Sequence, residues 1–305
     1  MPENNDSAAN GIGPFFQPAR HRGNIKSISK QELFATIQSD IATRPHLPPQ
    51  RNFNHENLKI LSAQLGQDLS TVRVLDIGAS VHGYALECAI ELGYQQYIGI
   101  DLGITRSWGA PFVEVIDEAK CHVLCQMDAH RLWLEDESVD AALCLSGFEH
   151  YLYPEMALQE IIRVLRKGGV ALISYEPIWT CSYGHHLHHF GLGFEQVPPW
   201  SHLILNKVQM TELLAGKPWP EGCPITRAQA VEWTYDGRDI NRRDYHFHHR
   251  TLQELKNGEV LWFVPHNDTA PQALAWADHA ASLVPYTREQ LLARGFSLCF
   301  RKQVF

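Results

Sequence analysis

Three aspartates follow short apolar runs that are typical of buried β-strands. Asp76 lies near the end of the first run, Asp101 directly follows the second, and Asp128 follows the third. A carboxylate accepts hydrogen bonds and attracts cations, and an open α/β sheet binds its ligands beyond the carboxyl ends of its strands. The spacing therefore predicts one ligand site that all three aspartates share.

The loop from Asp76 to Gly83 is rich in small residues. Gly78, Ala79 and Ser80 allow a backbone to approach a ligand closely, and Gly83 begins the next helix. A dinucleotide-binding loop has similar glycines and binds pyrophosphate at the helix N-terminus. Here Asp76 would lie beside that pyrophosphate, and repulsion between two anions disfavours a dinucleotide. A cationic ligand would not meet this repulsion.

Asp101 and Asp128 suit the two halves of a nucleoside. Asp101 lies 18 residues after Gly83, at a strand end where a carboxylate can accept both hydroxyls of a ribose. Asp128 can accept a hydrogen bond from an amine on a purine edge, with Met127 against the ring face. These positions favour a ligand that carries a ribose and a purine.

Six segments, taken in order, resemble the successive motifs of class I S-adenosylmethionine-dependent methyltransferases of the small-molecule type. They are Val74–Ser80 with Gly83, Gly99–Asp101, Met127–Ala129, Ser138–Ala142, Phe148–His150 and Arg163–Gly169. Their order and spacing match across about residues 71–177. The resemblance implies methyl transfer from S-adenosylmethionine on a three-layer, Rossmann-like α/β sheet that is mostly parallel.

The resemblance also implies which residues bind the cofactor. The Asp76–Gly83 loop would lie against its methionine part, Asp101 would bind the ribose, Asp128 the adenine amine, and the segment after the fourth strand the amino-acid end. The full predicted set is Asp76, Gly78, Ala79, Ser80, Gly83, Asp101, Leu102, Met127, Asp128, Ala129, Ser146 and Gly147. His82 departs from the family pattern, which has a third glycine there. Either the loop is one residue longer, or His82 points into the site.

Histidines are concentrated in the second half of the chain. Seven of the 17 lie within residues 185–189 and 245–249. The first stretch follows the fifth core strand, where the resemblance places the methyl acceptor. We expect His185 or His186 to act as the base that removes the acceptor's proton.

Other side chains complete this prediction. Glu176 or Tyr183 would orient the base, and His150 is a further candidate for catalysis. Trp179, Tyr183 and Trp200 would form aromatic walls around the acceptor. The simplest alternative is that most of these histidines are polar loop residues.

A metal centre is a second explanation of the histidines. His185 or His186, with His189 and one of His246, His248 and His249, could supply three imidazole ligands. Metal-dependent members of the family use carboxylates instead, and their pattern does not match this sequence. We therefore predict no metal and keep metal-assisted transfer as an alternative.

Charge and composition exclude several classes of partner. Residues 71–180 carry 16 acidic and 7 basic residues, a balance of −9 that accounts for the formal net charge of −8. Such a surface repels polyphosphate, so we expect no nucleic-acid partner. No apolar run reaches membrane-spanning length and the first residues do not resemble a secretory signal. Seven scattered cysteines are typical of reduced thiols, which predicts a cytoplasmic protein.

Periodicity divides the chain into four parts. We predict a flexible N-terminal arm (1–28), N-terminal helices (29–70), the cofactor-binding core (71–177) and a substrate-facing elaboration (178–305) that ends in a sheet strand. Core strands are predicted at 72–77, 97–101, 122–127, 139–145 and 170–175, with helices at 84–92 and 156–165. In the elaboration we predict helices at 207–214, 271–282 and 288–293, strands at 228–235, 261–264 and 295–305, and loops around the histidines.

Two functions from different classes follow. The first is an enzyme that methylates oxygen or nitrogen of a small molecule, such as a metabolite, a sugar or a natural-product intermediate. The second is a protein that keeps the cofactor fold as a binding or regulatory module. The complete set of cofactor carboxylates favours the enzyme. The sequence does not indicate an oligomeric state.

Overall fold

One sheet organises the parts of the chain that the computed structural model describes, residues 25–43, 51–118, 120–253 and 255–304. Its strands are β1 (Ile25–Ser29), β2 (Arg73–Ile77), β3 (Gln96–Ile100), β4 (Phe112–Asp117), β5 (Lys120–Cys125), β6 (Val139–Leu145), β7 (Leu165–Tyr175), β8 (Gly258–Asn267) and β9 (Ala293–Lys302). They lie in the order β1-β4-β5-β3-β2-β6-β7-β9-β8.

The five central strands, β5-β3-β2-β6-β7, are parallel, whereas β4 and β9 flank them in antiparallel pairs. The strand order reverses at β2, which pairs with β3 on one side and β6 on the other. A ligand crevice is expected at such a reversal, beyond the carboxyl ends of the strands. The predicted mostly parallel α/β sheet is confirmed.

Helices cover both faces of the sheet. They are α1 (Lys30–Thr43), α2 (Arg51–Leu65), α3 (Tyr84–Leu92), α4 (Ile104–Trp108), α5 (Pro154–Val164), α6 (Ser201–Ile204), α7 (Lys207–Ala215), α8 (Arg227–Tyr235), α9 (Tyr245–Gln253), α10 (Pro271–Ala281) and α11 (Arg288–Leu292). Apolar residues of α1, α2 and α3 pack on one face, and those of α5 pack on the other. The strands are apolar on both sides because both faces are covered. No helix in the described ranges is long and apolar enough to cross a membrane.

The sheet is wider than the sequence predicts. Ile25–Ser29, partly assigned to a flexible arm, forms β1 beside β4, and Ile28 is buried there; residues 1–24 of that predicted arm lie outside the described residues. Strand β4 was not predicted either, although it pairs with β5 along its whole length. Pairing with neighbouring strands determines whether these two segments become strands, and their local sequence carries little of that information.

The strand predicted at 228–235 is wrong, because these residues form α8. Thr226 and Gln229 make a capping box, in which each side chain accepts a hydrogen bond from the other's backbone N–H. The β-branched Thr234, which favoured a strand, donates its hydroxyl to the Ala230 carbonyl one turn earlier. The histidines around Tyr245 also lie on a helix, α9, and not in a loop.

Candidate cofactor and acceptor site

The carboxyl ends of β2, β3, β5 and β6 bring most of the predicted cofactor residues to one edge of the sheet. Asp76 on β2 is in register with Gly99 on β3 and Leu143 on β6. Asp101 directly follows β3, and its side chain accepts a hydrogen bond from the Gly103 N–H at 2.7 Å. Ser146, exposed, directly follows β6. The strand ends that carry these groups therefore lie at one edge of the sheet, and their binding of a cofactor stays a prediction.

Asp76 is a buried carboxylate without a cationic partner. It accepts a hydrogen bond from the Tyr97 hydroxyl. Burial, with a smaller contribution from the nearby Asp101, raises the pKa of Asp76 to about 7. Within the described ranges no lysine or arginine forms an ion pair with it. A positively charged ligand group would supply the missing compensation.

Tyr151 lies at this edge of the sheet, although the sequence analysis did not name it. A β-carbon added at Gly78 would lie 3.0 Å from the Tyr151 hydroxyl, and one added at Gly147 would lie 2.9 Å from it. The phenol therefore lies between the loop after β2 and the loop after β6. Gly78 has a φ of +74°, which also favours glycine there. The available signal was an aromatic residue directly after the Phe148–His150 motif.

His82 does not point into this edge. Its Nε2 atom lies 3.4 Å from the Asp40 carboxylate on α1. Its ring also packs against Tyr84 and Trp108. The side chain thus fixes the loop to the helical layer, and of the two explanations offered for His82 the inward one is wrong.

The residues predicted to contact adenine are only partly accessible to a ligand. Leu102 is 66% exposed, which leaves an apolar surface beside Asp101. Asp128 is also exposed and accepts hydrogen bonds from the backbone and ring of His130, at 2.9 and 2.6 Å. Met127, however, is buried in the core with its sulfur 3.3 Å from the Trp133 N–H. It therefore offers almost no surface to a purine, and Leu102 is the better candidate for that contact.

Residues 239–241 hold the segment after β6 in place. The Asn241 N–H donates to the Glu149 carbonyl at 3.0 Å, and its side-chain amide donates to the Phe148 carbonyl at 2.9 Å. His150 Nδ1 lies 2.5 Å from the Asp239 carbonyl. A carbonyl only accepts, so Nδ1 carries the proton and Nε2 is left as an acceptor. We call these three contacts the 239–241 clamp.

His185 and His186 are turned inward. Each side chain is 1% exposed. His186 Nε2 donates to the Pro177 carbonyl at 2.8 Å, and His185 Nδ1 accepts from the Leu187 N–H at 3.0 Å. Burial, together with neighbouring histidines, lowers the pKa of both well below its usual value. Neither histidine faces the open edge.

Glu176 orients a different histidine from the predicted one. Its carboxylate bonds to His266 Nδ1 at 3.0 Å and pairs with Arg294. His266 Nε2 in turn lies 2.7 Å from the Ser297 hydroxyl. The other predicted orienting group, Tyr183, stacks on the Phe194 ring with centroids 4.1 Å apart. Glu176 therefore bonds to groups other than His185 and His186, whereas Tyr183 meets the His185 ring edge-on, with centroids 6.4 Å apart.

One further prediction is corrected. Trp200 is fully buried and donates its indole N–H to the Thr180 carbonyl at 3.1 Å, so it cannot form a wall of an open pocket. Trp179 keeps partial exposure and carries the Arg242 guanidinium 5.5 Å from its ring centroid. His248 on α9 is buried against the Tyr175 hydroxyl at 2.9 Å. Among the residues described, no three side chains of the metal-ligating types form a cluster.

Comparison with known proteins agrees with this geometry. Residues 75–173 match the family model of a methyltransferase domain. An uncharacterized methyltransferase of Mycobacteroides abscessus is 30% identical over 122 residues, which are 39% of this chain and 46% of that protein. The chain thus matches somewhat less than half of that relative's length.

Solved structures with similar folds have low sequence identity. An S-adenosylmethionine-dependent methyltransferase from Mesorhizobium loti is 16% identical, covers 80% of this chain and 96% of its own, and superposes with a TM-score of 0.45. The YcgJ protein from Bacillus subtilis is 16% identical with coverages of 80% and 98% and a TM-score of 0.40. The order of the sheet strands and the match over residues 75–173 support a methyltransferase domain of the class I, S-adenosylmethionine-dependent kind in the core of this chain.

Proposed function

We propose that this protein transfers the methyl group of S-adenosylmethionine to a small-molecule acceptor. The observation that supports this most directly is the convergence of Asp76, Asp101 and Asp128 on one edge of the sheet, beside the strand reversal at β2. Bound there, S-adenosylmethionine supplies a methyl group on a positively charged sulfur, which is a strongly activated leaving group.

The residues of this edge fit that cofactor. Asp76 is buried without a cation, which suits a ligand of positive charge. Asp101 is partly exposed at the end of β3, as a carboxylate that binds ribose must be. The exposed Leu102 offers an apolar face for a purine.

The remaining task of the protein is to align the acceptor and to remove its proton. We assign the removal of the acceptor's proton to His150 Nε2, in place of His185 or His186. His150 is 37% exposed in its side chain, and the Asp239 carbonyl holds the tautomer that leaves Nε2 free. The two histidines favoured by the sequence are buried and have lost that access.

Calorimetric titration tests the proposal. We expect S-adenosylmethionine and S-adenosylhomocysteine to bind with micromolar affinity and NAD not to bind. Release of S-adenosylhomocysteine in the presence of an acceptor would then support catalysis. Binding of NAD without any response to either adenosyl compound would contradict the proposal, and cofactor binding that no acceptor converts into release would favour the regulatory module.

A further inference from the structure

We propose that the methyl acceptor is an amine, whose ammonium form binds between the Glu149 carboxylate and the His150 imidazole. This inference rests on the proposed function and names its substrate class. Three observations support it: an uncompensated buried carboxylate, the distance between two acceptor atoms, and the absence of basic side chains around them in the described structure.

Glu149 is a buried carboxylate for which the described residues offer no adequate partner. Glu149 is 2% exposed, and its Oε2 atom has no hydrogen-bond partner. Burial raises the pKa of Glu149 to about 8; a hydrogen bond from its own backbone N–H opposes this rise only in part, and the neighbouring Glu176 adds to it. An unpaired carboxylate in such a place costs free energy unless a cation or donor compensates it. A ligand with positive charge would do so.

The groups that face Glu149 do not provide that charge. They lie on β6, on β7 and just beyond both strands, and are Cys144, His150, Tyr151, Tyr175 and Glu176. None of them is a lysine or an arginine, and Glu176, although paired with Arg294, still raises the pKa of Glu149 further. A second unpartnered atom lies close by, because buried His186 has no partner for Nδ1 and its ring centroid is 5.2 Å from that of His150.

The separation of the two acceptors fits one nitrogen atom. Glu149 Oε1 and His150 Nε2 are 3.9 Å apart, too far for a direct hydrogen bond. A third atom can lie about 2.9 Å from both, the usual N–H···O distance. A bound cation keeps Glu149 ionised. The third atom must then donate to both, because an ionised carboxylate and this imidazole nitrogen only accept. An ammonium has three N–H donors, whereas a hydroxyl has one.

The chemistry of an amine also balances at this position. The ammonium gives one proton to His150 Nε2, and its freed lone pair forms the new N–C bond to the methyl carbon. The S–C bond breaks, its electron pair stays on sulfur, and the positive charge passes to nitrogen. Glu149 stabilises a charge on that nitrogen before and after transfer. An alcohol would instead have to become an alkoxide beside a carboxylate, and like charges disfavour it.

Matched pairs of acceptors test the inference. The panel consists of primary amines and the alcohols of the same carbon skeleton, from ethylamine and ethanol to phenethylamine and phenethyl alcohol. Release of S-adenosylhomocysteine is measured at saturating S-adenosylmethionine for the wild type, Glu149→Gln and Glu149→Asp. The control is Glu135→Gln, the same change on an exposed residue at the opposite end of β6.

We expect at least one amine to be methylated more than 100-fold faster than its alcohol. Glu149→Gln should lower kcat/KM for that amine roughly 100-fold, within the range for a group that assists proton transfer. Glu149→Asp, which keeps the charge, should recover part of the loss, and Glu135→Gln should behave as wild type. Calorimetry should show cofactor affinities within twofold of wild type in all variants.

Several results would overturn the inference while the proposed function stands. They are methylation of an alcohol but not of its amine, no turnover of any amine by a protein that binds S-adenosylmethionine, and an unchanged amine rate in Glu149→Gln. Loss of activity with EDTA and its recovery with Mg²⁺ would assign Glu149 and His150 to a metal and would also overturn it. Failure to bind S-adenosylmethionine at all would instead contradict the proposed function.

Discussion

The cofactor edge and the histidine-rich elaboration differ in how far their polar side chains are exposed. At the edge, Asp101 and Asp128 remain partly or largely exposed. In the elaboration, His186 and His202 each bond to a backbone carbonyl, at 2.8 and 2.7 Å, and are buried. A side chain that is both bonded to a backbone carbonyl and buried is not available to a ligand, whereas His150, bonded in the same way, keeps 37% of its side chain exposed. The comparison teaches that an accessible side chain with an unused hydrogen-bonding atom indicates a functional site better than the number of reactive residues does.

The strongest test of this comparison is His150→Ala. Removing the exposed imidazole should lower turnover by roughly 10²–10⁴-fold, the usual contribution of a general base, with cofactor affinity almost unchanged. The matched variant is His185→Gln, which we expect to keep a near-normal rate with any acceptor that supports release of S-adenosylhomocysteine. A large loss of rate in His185→Gln, with unfolding unchanged, would restore the original prediction and reverse the comparison.

Asp101→Ala tests the other region. The carboxylate should lose its hydrogen bonds to the ribose, which are worth about 2–3 kcal/mol, or roughly 30- to 150-fold in affinity. Titration calorimetry with S-adenosylhomocysteine measures the loss. Glu135→Gln again provides an exposed control, and an unchanged affinity in Asp101→Ala would place the ribose elsewhere.

The pH dependence of the free energy of unfolding distinguishes the buried histidines from the exposed groups. Burial lowers the pKa of His202 to about 4 in the folded protein, whereas the unfolded chain has a value near 6.5. The unfolded state therefore binds the proton first, and stability falls as pH drops below about 6.5. Between pH 7 and pH 5 this single group should cost roughly 2 kcal/mol. Urea unfolding of His202→Gln should show a correspondingly smaller loss; an identical loss would mean that His202 is not buried in its neutral form.

Asp76 gives the smallest effect, and it concerns the affinity for the cofactor and not the stability of the fold. Its pKa of about 7 means that it is largely protonated at pH 6 and ionised at pH 8. A cationic cofactor should bind to the ionised form, so its affinity should rise about tenfold between those pH values. The same titration on Asp76→Asn should show no such rise. Equal affinity at both pH values in the wild type would mean that Asp76 does not face the positive charge.

The strand ends that carry the predicted cofactor residues can be located in the sequence for a physical reason. The end of a buried parallel strand is visible as an apolar run followed by a polar residue, so Asp76 and Asp101 could be placed without knowledge of tertiary structure. The elaboration has no such regularity. Whether His186 faces a ligand or the Pro177 carbonyl depends on contacts between distant segments, and so does the bond from Asp239 to His150. Periodicity cannot report such contacts, and Glu176 was assigned to the wrong histidine for the same reason.

The 239–241 clamp has a consequence for how this domain can be altered. The segment that holds the His150 tautomer belongs to the elaboration, whereas His150 itself belongs to the cofactor core. Exchanging the elaboration for that of a relative, or changing the length of the connection between α8 and α9, would release the imidazole even if every core residue were kept. Such a chimera should bind the cofactor and remain nearly inactive until Asp239 and Asn241 are restored with their spacing. A change in the acceptor that this protein prefers should therefore leave the 239–241 clamp unchanged.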